Sequence, residues 1–310
     1  MLNFESSWRG RQLLILKGIS VPTVWGGQKL YSYGGDKNIT QLGQLYTVAA
    51  NDGLSSIILN GKYKGDNLRN IYKSFPEIFG KSRYTEFPLL IGFVDAKEDL
   101  SLQVHPDNEY CRKYEGKEIG KCESWIFLDQ PANKYIYNGC KVKTKEAVQK
   151  NIDNTAWNNI IDTLSVEKDQ YVYVEAGTLH ALTSGSFVYE IQQSTNITYR
   201  FYDYDRIDSL GNKRPLQLNK ALDVLDVMKR SEATDLKLGE TKEEPYYSIK
   251  LCELQGQFKN DTDIFICVTL LEGRTTFEGV DLHKGMSFIL FMGEEVAIEN
   301  KLKCVIASVK

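Results

Sequence analysis

Apolar and polar residues alternate along the segment 100–107, which reads LSLQVHPD. A period of two residues is typical of a β-strand, so the apolar side chains face one side while Ser101, Gln103 and His105 face the other. The proline that follows ends the strand because it has no N–H to donate to a neighbour. A single His on a strand is more often structural than metal-binding, so this segment alone does not decide between the two.

Similar strand patterns occupy most of the chain. Short runs rich in branched and aromatic residues, separated by Gly and polar turn residues, predict a mainly β protein. The predicted strands lie at 21–27, 45–49, 56–59, 87–94, 121–128, 171–174, 187–193, 247–251, 264–271, 286–292 and 303–309.

Apolar residues at helical spacing predict a few short helices. One follows Asp66, which we expect to cap it, and ends at Pro76; another follows Thr144. A third is predicted from Asn154, and the second and third together form a helical insertion around 143–165. A further amphipathic helix is predicted over 215–228.

The distribution of these elements predicts two β domains. Residues 1–230 would form the larger domain with its helical insertion, and the polar stretch 231–245 would link it to a smaller β domain over 246–310. The last range holds a single histidine, His283, so no metal site is expected there.

The composition is that of an ordinary globular protein. The chain has 310 residues, 42% of them hydrophobic and 25% charged, with a net charge of -3. No basic excess favours nucleic acid or an anionic membrane, and no apolar run approaches a signal peptide or a membrane span. We therefore expect a cytoplasmic protein. Its six cysteines show no C-x-x-C spacing and are interpreted as small buried hydrophobic residues.

Four polar residues on the predicted strands have the chemistry of metal ligands. Glu123 lies between Cys122 and the apolar run that ends at Leu128, where a carboxylate is costly to bury unless a cation compensates it, although an ion pair with Lys121 would also account for it. Gln103, His105, Glu123 and His180 give an O, N, O, N set that suits zinc, whereas the two His and Glu123 alone would suit a non-haem iron triad. The ligand types do not separate these possibilities.

Several segments, in the same order along nearly the whole chain, resemble the short bacterial type I mannose-6-phosphate isomerases. The segments are 25–27 (WGG), 100–107, 121–123 (KCE), 176–181 (AGTLHA), 190–193 (EIQQ) and 199–206 (YRFYDYDR). The resemblance implies a double cupin fold of jelly-roll β-barrels, one zinc ion per chain, and interconversion of mannose 6-phosphate and fructose 6-phosphate. It also implies a small sugar phosphate as partner, no nucleic acid or membrane, and a monomer or homodimer.

Carried over position by position, the resemblance assigns roles to individual residues. The implied zinc ligands are Gln103, His105, Glu123 and His180. The implied catalytic residues are Lys121, Glu190 and Arg200, and the implied substrate-binding residues are Ser101, on the phosphate side, and Trp25.

Three positions depart from the family pattern. Glu175 stands where the family usually has Pro, and Asn196 stands where it usually has Asp. The family also often has a Ser-x-His segment where this chain reads VAAN at 48–51.

The reaction itself explains why such residues are needed. Moving a proton between C1 and C2 of a sugar through an enediol places charge on adjacent oxygens, which a metal and Arg200 would stabilise. Glu190 and Lys121 are both candidates for the proton shuttle. Two other functions remain open from the sequence, a non-catalytic sugar-phosphate-binding cupin and an iron or manganese cupin oxygenase.

Overall fold

A computed structural model describes residues 13–207 and 211–310. Strands dominate this part of the chain. Up to residue 202 they are β1 (Leu13–Lys17), β2 (Ile19–Gly27), β3 (Leu42–Val48), β4 (Ala50–Asn51), β5 (Leu54–Ser55), β6 (Ile57–Ile58), β7 (Leu89–Asp95), β8 (Leu102–Val104), β9 (Glu123–Asp129), β10 (Tyr135–Cys140), β11 (Ile161–Ser165), β12 (Gln170–Val174), β13 (His180–Ala181), β14 (Phe187–Gln193) and β15 (Tyr199–Tyr202). After it they are β16 (Ala233–Asp235), β17 (Thr241–Glu243), β18 (Tyr247–Lys259), β19 (Ile266–Glu272), β20 (Arg274–Phe277), β21 (Val280–His283), β22 (Ser287–Leu290) and β23 (Glu295–Val309).

Three sheets form successive layers of the molecule. The five-stranded sheet has the order β11-β10-β13-β8-β15. The middle sheet has seven strands in the order β16-β12-β9-β14-β7-β3-β2, and the C-terminal sheet has seven in the order β17-β18-β23-β19-β22-β1-β6. Two hairpins, β4–β5 and β20–β21, complete the strand inventory of the described residues.

Hydrophobic cores fill the spaces between the layers. Leu102 of the five-stranded sheet and Trp125 of the middle sheet belong to one core. Tyr189, on the opposite face of the middle sheet, shares a second core with Ile289 of the C-terminal sheet. Because side chains alternate along a strand, the middle sheet is buried on both faces. A third core, which includes Phe277, covers the outer face of the C-terminal sheet.

Helices are few and short. They are α1 (Leu68–Ser74), α2 (Asn108–Tyr110), α3 (Lys145–Asp153) and α4 (Leu218–Val224), with a π-helical turn at Cys111–Glu115 and 3-10 turns at Lys29–Tyr33, Gly61–Tyr63, Pro76–Phe79 and Trp157–Asn159. Thr144 caps α3 as predicted, because its Oγ1 accepts the Ala147 N–H at 3.2 Å. No helix within the described ranges is long and apolar enough to span a bilayer.

Three of the helix predictions need correction. The cap of α1 is Asn67, not Asp66, since the Asn67 side chain accepts the Asn70 N–H at 2.9 Å. The helix predicted from Asn154 is wrong: the chain makes one 3-10 turn and then enters β11, which pairs with β10. Of the helix predicted over 215–228, only Leu218–Val224 (α4) is helical.

Strand pairing does not follow a division at residue 230. β1, near the start of the described chain, pairs with β22 inside the C-terminal sheet. The polar stretch 231–245 contains β16, which pairs with β12 of the middle sheet, and β17, which pairs with β18 of the C-terminal sheet. The stretch therefore joins two sheets and is not a free linker, while the division into domains remains a prediction.

Candidate metal centre and active-site cavity

Three side chains with metal-binding chemistry converge between the five-stranded and middle sheets. His105, Glu123 and His180 offer ligand atoms that all lie within 4.8 Å of one another. The Glu123 Oε1 is 3.1 Å from His180 Nε2, and its Oε2 is 3.7 Å from His105 Nε2. Each of the three residues is about 1% exposed. Among the described residues, no other group of His, Cys, Asp and Glu meets the same spacing.

Backbone carbonyls fix the orientation of both imidazoles. The Nδ1 of His105 is 3.0 Å from the carbonyl oxygen of Ile197, and the Nδ1 of His180 is 2.9 Å from that of Thr178. A carbonyl oxygen only accepts, so each Nδ1 carries the proton and each Nε2 presents a lone pair to the centre. This is the orientation in which histidines bind metals.

The ligand atoms left without hydrogen-bond partners fit a bound cation. His180 Nε2 and Glu123 Oε1 are buried and have no hydrogen-bond donor among the described residues. Two acceptors held 3.1 Å apart repel each other unless a cation or a proton lies beside them. The donor set of two imidazole nitrogens and a carboxylate suits zinc and other divalent transition metals.

Electrostatics keep His105 and Glu123 in their metal-binding forms. Burial, followed by the charge of Lys121, lowers the pKa of His105 well below its ordinary value of 6.5. Burial alone would raise the pKa of Glu123, but the Lys121 ammonium and the adjacent imidazoles outweigh it and hold this pKa well below 4.5. A neutral imidazole and an ionised carboxylate are the forms that bind metal.

Short strands and one tight turn bring the ligands together. Glu123 is the first residue of β9, and His180 begins β13 after a turn in which Gly177 has a φ of 89°. The left-handed conformation favours glycine, and the Gly177 N–H donates to the His105 carbonyl oxygen at 2.9 Å. Gln103 lies directly opposite His180 in the pairing of β8 with β13.

Lys121 closes the cluster on the side of the cavity. Its Nζ lies 3.1 Å from His105 Nε2 and forms a short hydrogen bond to Glu123 Oε2. The ammonium therefore occupies lone pairs that a metal ion would use, so we expect it to leave them when a metal binds.

A cavity of about 470 Å³ opens beside Lys121. It contains every sequence-predicted substrate or catalytic residue together with one predicted metal ligand. These residues are Trp25, Ser101, Gln103, Lys121, Glu190 and Arg200. The cavity also includes residues that the sequence did not single out, among them Gln44, Tyr46, Trp125, Thr198 and Arg214.

Glu190 projects into this cavity from the middle sheet. Its Oε1 accepts a hydrogen bond from the Trp125 indole at 2.9 Å. Burial, and then the negative charge of Glu123, raise the pKa of Glu190 to about 7. A carboxyl group with this pKa exchanges protons near neutral pH.

Arginines gather at another part of the cavity wall. Arg214 donates to both carboxylate oxygens of Asp203, with its Nε 2.6 Å from Oδ2, and Arg206 donates to the same carboxylate. Arg200 has a buried Nε without a hydrogen-bond partner among the described residues. Burial, followed by the charge of Arg214, lowers the pKa of Arg200. Three arginines and one carboxylate leave two positive charges in this group of four side chains.

Two departures from the family pattern have visible contacts. Asn196 also lines the cavity, and its Oδ1 accepts from Asn51 Nδ2 at 3.3 Å. Glu175 forms a short ion pair with Lys229, away from the ligand atoms. Neither contact alters the ligand cluster.

Comparisons with known proteins agree with this geometry. The family model described as phosphomannose isomerase type I, catalytic domain, matches residues 25–134. A mannose-6-phosphate isomerase of Streptococcus mutans is 35% identical over 86% of this chain and 88% of its own length. The mannose-6-phosphate isomerase ManA of Bacillus subtilis is 30% identical over 95% of this chain and 98% of its own length.

The chain belongs to the type I phosphomannose isomerase family. The crystal structure of the mannose 6-phosphate isomerase from Bacillus subtilis superposes with a TM-score of 0.82 at 29% identity, over 96% of this chain and all of that one. A putative mannosephosphate isomerase from Archaeoglobus fulgidus has a TM-score of 0.76 at 17% identity, over 97% of this chain and 98% of that one, which is evidence for the fold alone. The family and the mainly β double cupin fold predicted from the sequence are confirmed.

Proposed function

We propose that this chain interconverts mannose 6-phosphate and fructose 6-phosphate in the cavity beside Lys121, with one zinc ion held by Gln103, His105, Glu123 and His180. The observation that carries the proposal is that one cavity contains Gln103, Glu190 and the arginines, with the three-ligand cluster directly behind Lys121. A cytoplasmic monomer or homodimer belongs to the same proposal.

Glu190 is the proposed proton shuttle. Isomerisation needs one group that removes a proton from C2 of the aldose and returns it to C1, and a carboxyl group with a pKa of about 7 serves both directions at neutral pH. Its Oε1 accepts a hydrogen bond from the Trp125 indole, and Glu190 lines the cavity. Lys121 remains the second candidate, because its ammonium contacts Glu123 and His105 without metal and is expected to leave them when zinc binds.

Two groups are proposed to stabilise negative charge on the substrate oxygens. When bound, zinc would supply Lewis-acid stabilisation of negative charge on the oxygens at C1 and C2. The Arg200 guanidinium, whose buried Nε has no partner in the described chain, donates hydrogen bonds to the same oxygens. Removing one such donor typically lowers kcat by about 10²- to 10³-fold.

The phosphate of the substrate is proposed to bind near Arg214 and Ser101. A phosphate dianion matches the two uncompensated positive charges of the arginine group, and Arg214 lines the cavity in an orientation fixed by Asp203. Leu102 of β8 pairs with Tyr202 of β15, so Ser101 lies at the end of this strand pair where Asp203, the partner of Arg214, follows Tyr202. Ser101 is two residues from Gln103 along the chain. Two residues of strand span about 7 Å, which suits a substrate whose reacting carbons and phosphate lie at opposite ends.

The first test is a coupled assay for fructose 6-phosphate formed from mannose 6-phosphate, with and without a chelator. Protein purified without added metal is analysed for zinc, iron and manganese in parallel. We expect about one zinc per chain and activity that the chelator abolishes and zinc restores. Stoichiometric iron with little zinc would contradict the metal assignment, and a metal-loaded protein without turnover would contradict the reaction.

Substitutions separate the metal ligands from the substrate contacts. We expect His180→Ala and Glu123→Ala each to lose bound zinc and turnover together, whereas Arg200→Ala keeps the metal and loses turnover. Glu123→Ala with unchanged zinc content and rate would show that the ligand assignment is wrong.

The phosphate site has its own matched pair of variants. Arg214→Ala should raise KM for mannose 6-phosphate while zinc stays bound. The control, Lys213→Ala, removes a neighbouring positive charge that is exposed and paired with Asp205. Equal KM changes in the two variants would indicate a general charge effect and no phosphate contact at Arg214.

A further inference from the structure

A continuous chain of hydrogen bonds connects the middle sheet with the C-terminal sheet. The Ser124 Oγ lies 2.8 Å from the Tyr247 hydroxyl and 2.8 Å from the Tyr171 hydroxyl. Tyr171 in turn donates to the Glu244 carboxylate at 2.7 Å. The three hydroxyl-bearing residues are at most 3% exposed, so both bonds of Ser124 are buried, while Glu244 at the end of the network is half-buried.

The donor and the acceptor can be assigned for each hydrogen bond in this chain of hydroxyls. Tyr171 uses its only hydrogen on Glu244, which only accepts while ionised, so Ser124 must donate to Tyr171. Tyr247 must then donate to Ser124. Each hydroxyl donates once, in one direction, and the chain ends at a charge. Removing one member would leave a buried polar group unpaired, which is costly.

The position of Ser124 connects this chain to the metal centre. It lies on β9 between Glu123 and Trp125, both of which face the cavity side of the middle sheet. Because strand side chains alternate, a slip of β9 by one residue would turn Ser124 toward the cavity and Glu123 away from it. The hydroxyl chain forms in only one of these registers.

The two terminal members of this hydrogen-bond chain, Tyr247 and Glu244, come from the C-terminal part of the sequence. Tyr247 begins β18 of the C-terminal sheet, and Glu244 immediately follows β17. We propose that the C-terminal sheet positions the metal ligand Glu123 through the hydrogen bond from Tyr247 to Ser124, and thereby sets the metal affinity of the active site. This inference rests on the metal site of the proposed function and adds a role for the C-terminal sheet.

A second contact of the same kind lies further along the middle sheet. The Ser287 hydroxyl of the C-terminal sheet donates to Thr47 Oγ1 at 2.7 Å and lies 2.8 Å from Thr269 Oγ1. Thr47 is the neighbour of Tyr46, which lines the cavity. Buried hydroxyls from the C-terminal sheet therefore contact β9 and β3, each at a residue next to one that lines the cavity.

The test compares two tyrosine variants. Tyr247→Phe removes only the hydroxyl that contacts Ser124. The matched control is Tyr72→Phe, because the Tyr72 hydroxyl is also buried in hydrogen bonds, to Ser82 and to the Tyr84 carbonyl, but no part of Tyr72 lines the cavity. Metal dissociation constants are measured by competition with a chelating indicator, and melting temperatures are measured for both proteins without metal.

We expect both variants to lose thermal stability and only Tyr247→Phe to bind zinc more weakly, by about 10-fold or more, as for other residues that orient metal ligands. Its lost turnover should recover in excess zinc, which a general folding defect would not allow. Ser124→Ala removes this bond and also the bond to Tyr171, so the double variant should bind zinc about as tightly as Ser124→Ala alone.

The outcomes distinguish the inference from the function on which it rests. An unchanged zinc affinity in both Tyr247→Phe and Ser124→Ala overturns the inference, and so does an equal loss in Tyr72→Phe. If Tyr247→Phe does not fold, Ser124→Ala decides the question. Wild-type protein that binds zinc but does not isomerise mannose 6-phosphate rejects the reaction and leaves the inference standing, whereas wild-type protein that binds no metal rejects both.

Discussion

Glu190 combines burial with the proximity of another carboxylate. It is 7% exposed, and the ionised Glu123 stands close enough for its charge to disfavour a second negative charge. The charge of Lys121, followed by a hydrogen bond from the Trp125 indole, offsets only part of this cost. The resulting pKa of about 7 makes Glu190 the carboxyl group in this cavity whose charge changes near neutral pH.

This pKa gives a pH prediction. A base must be deprotonated to act, and a raised pKa means that Glu190 is protonated below about pH 7. A bound zinc ion would neutralise part of the Glu123 charge and lower this pKa, so we expect kcat/KM for mannose 6-phosphate to fall as the pH drops below about 7 and to be level above it, at constant zinc occupancy. Glu190→Gln should lose about 10²- to 10⁴-fold in rate. If the residual activity of that variant keeps the same pH limb, another group is the base.

The strands that carry candidate site residues were easier to predict from the sequence than the loops around them. Strict alternation placed Gln103 on a polar face, and β14, which carries Glu190, was predicted with its observed bounds. Arg214 had no such signal, because it follows an irregular segment and reaches the cavity wall only through its contact with Asp203. A contact between two loop residues has no periodicity that a sequence can display.

At the scale of elements, the cap of α1 can be tested directly. The Asn67 side chain satisfies the Asn70 N–H at 2.9 Å, so Asn67→Ala should lower the free energy of unfolding by about 1 kcal/mol, measured by urea denaturation. Asp66→Ala is the control, since Asp66 was the cap that the sequence favoured. Comparable destabilisation by both variants would show that the assigned cap is not the one that matters.

Errors in the predicted elements arose where one pattern fits two structures. Trp157 and Ile160 are three residues apart, which suits a helix as well as the 3-10 turn that forms. The next five residues form β11, and its pairing with β10 decides against a helix. Runs without this ambiguity, such as β7 with all seven residues buried, were predicted within two residues of their ends.

At the scale of the whole molecule, the layers are joined by pairings that no local pattern reveals. Leu13 of β1 pairs with Leu290 of β22, near the opposite end of the chain. β1 therefore completes the C-terminal sheet, whose inner face packs on the middle sheet. The sequence predicted two β modules but not that the first strand belongs with the last ones, because strand partners distant in sequence leave no periodic trace.

This layered construction predicts that metal binding stabilises the whole molecule. Gln103 and His180 lie on the five-stranded sheet and Glu123 on the middle sheet, so unfolding disperses the ligands. A ligand that binds only the folded state adds about 2.7 kcal/mol at 100 times its dissociation constant. We expect zinc to raise the melting temperature of the wild-type protein and not that of His180→Ala, whereas Arg200→Ala should respond like the wild type.

The pH dependence of this stabilisation follows from the buried imidazole. Because the pKa of His105 lies well below 6.5, protons compete with the metal at this ligand only at lower pH. The rise in melting temperature on adding zinc should therefore be nearly the same at pH 6.5 as at pH 7.5, when each is compared with chelator-treated protein at the same pH. A rise that disappears by pH 6.5 would show that a ligand of the cluster is protonated at that pH, and would contradict this prediction.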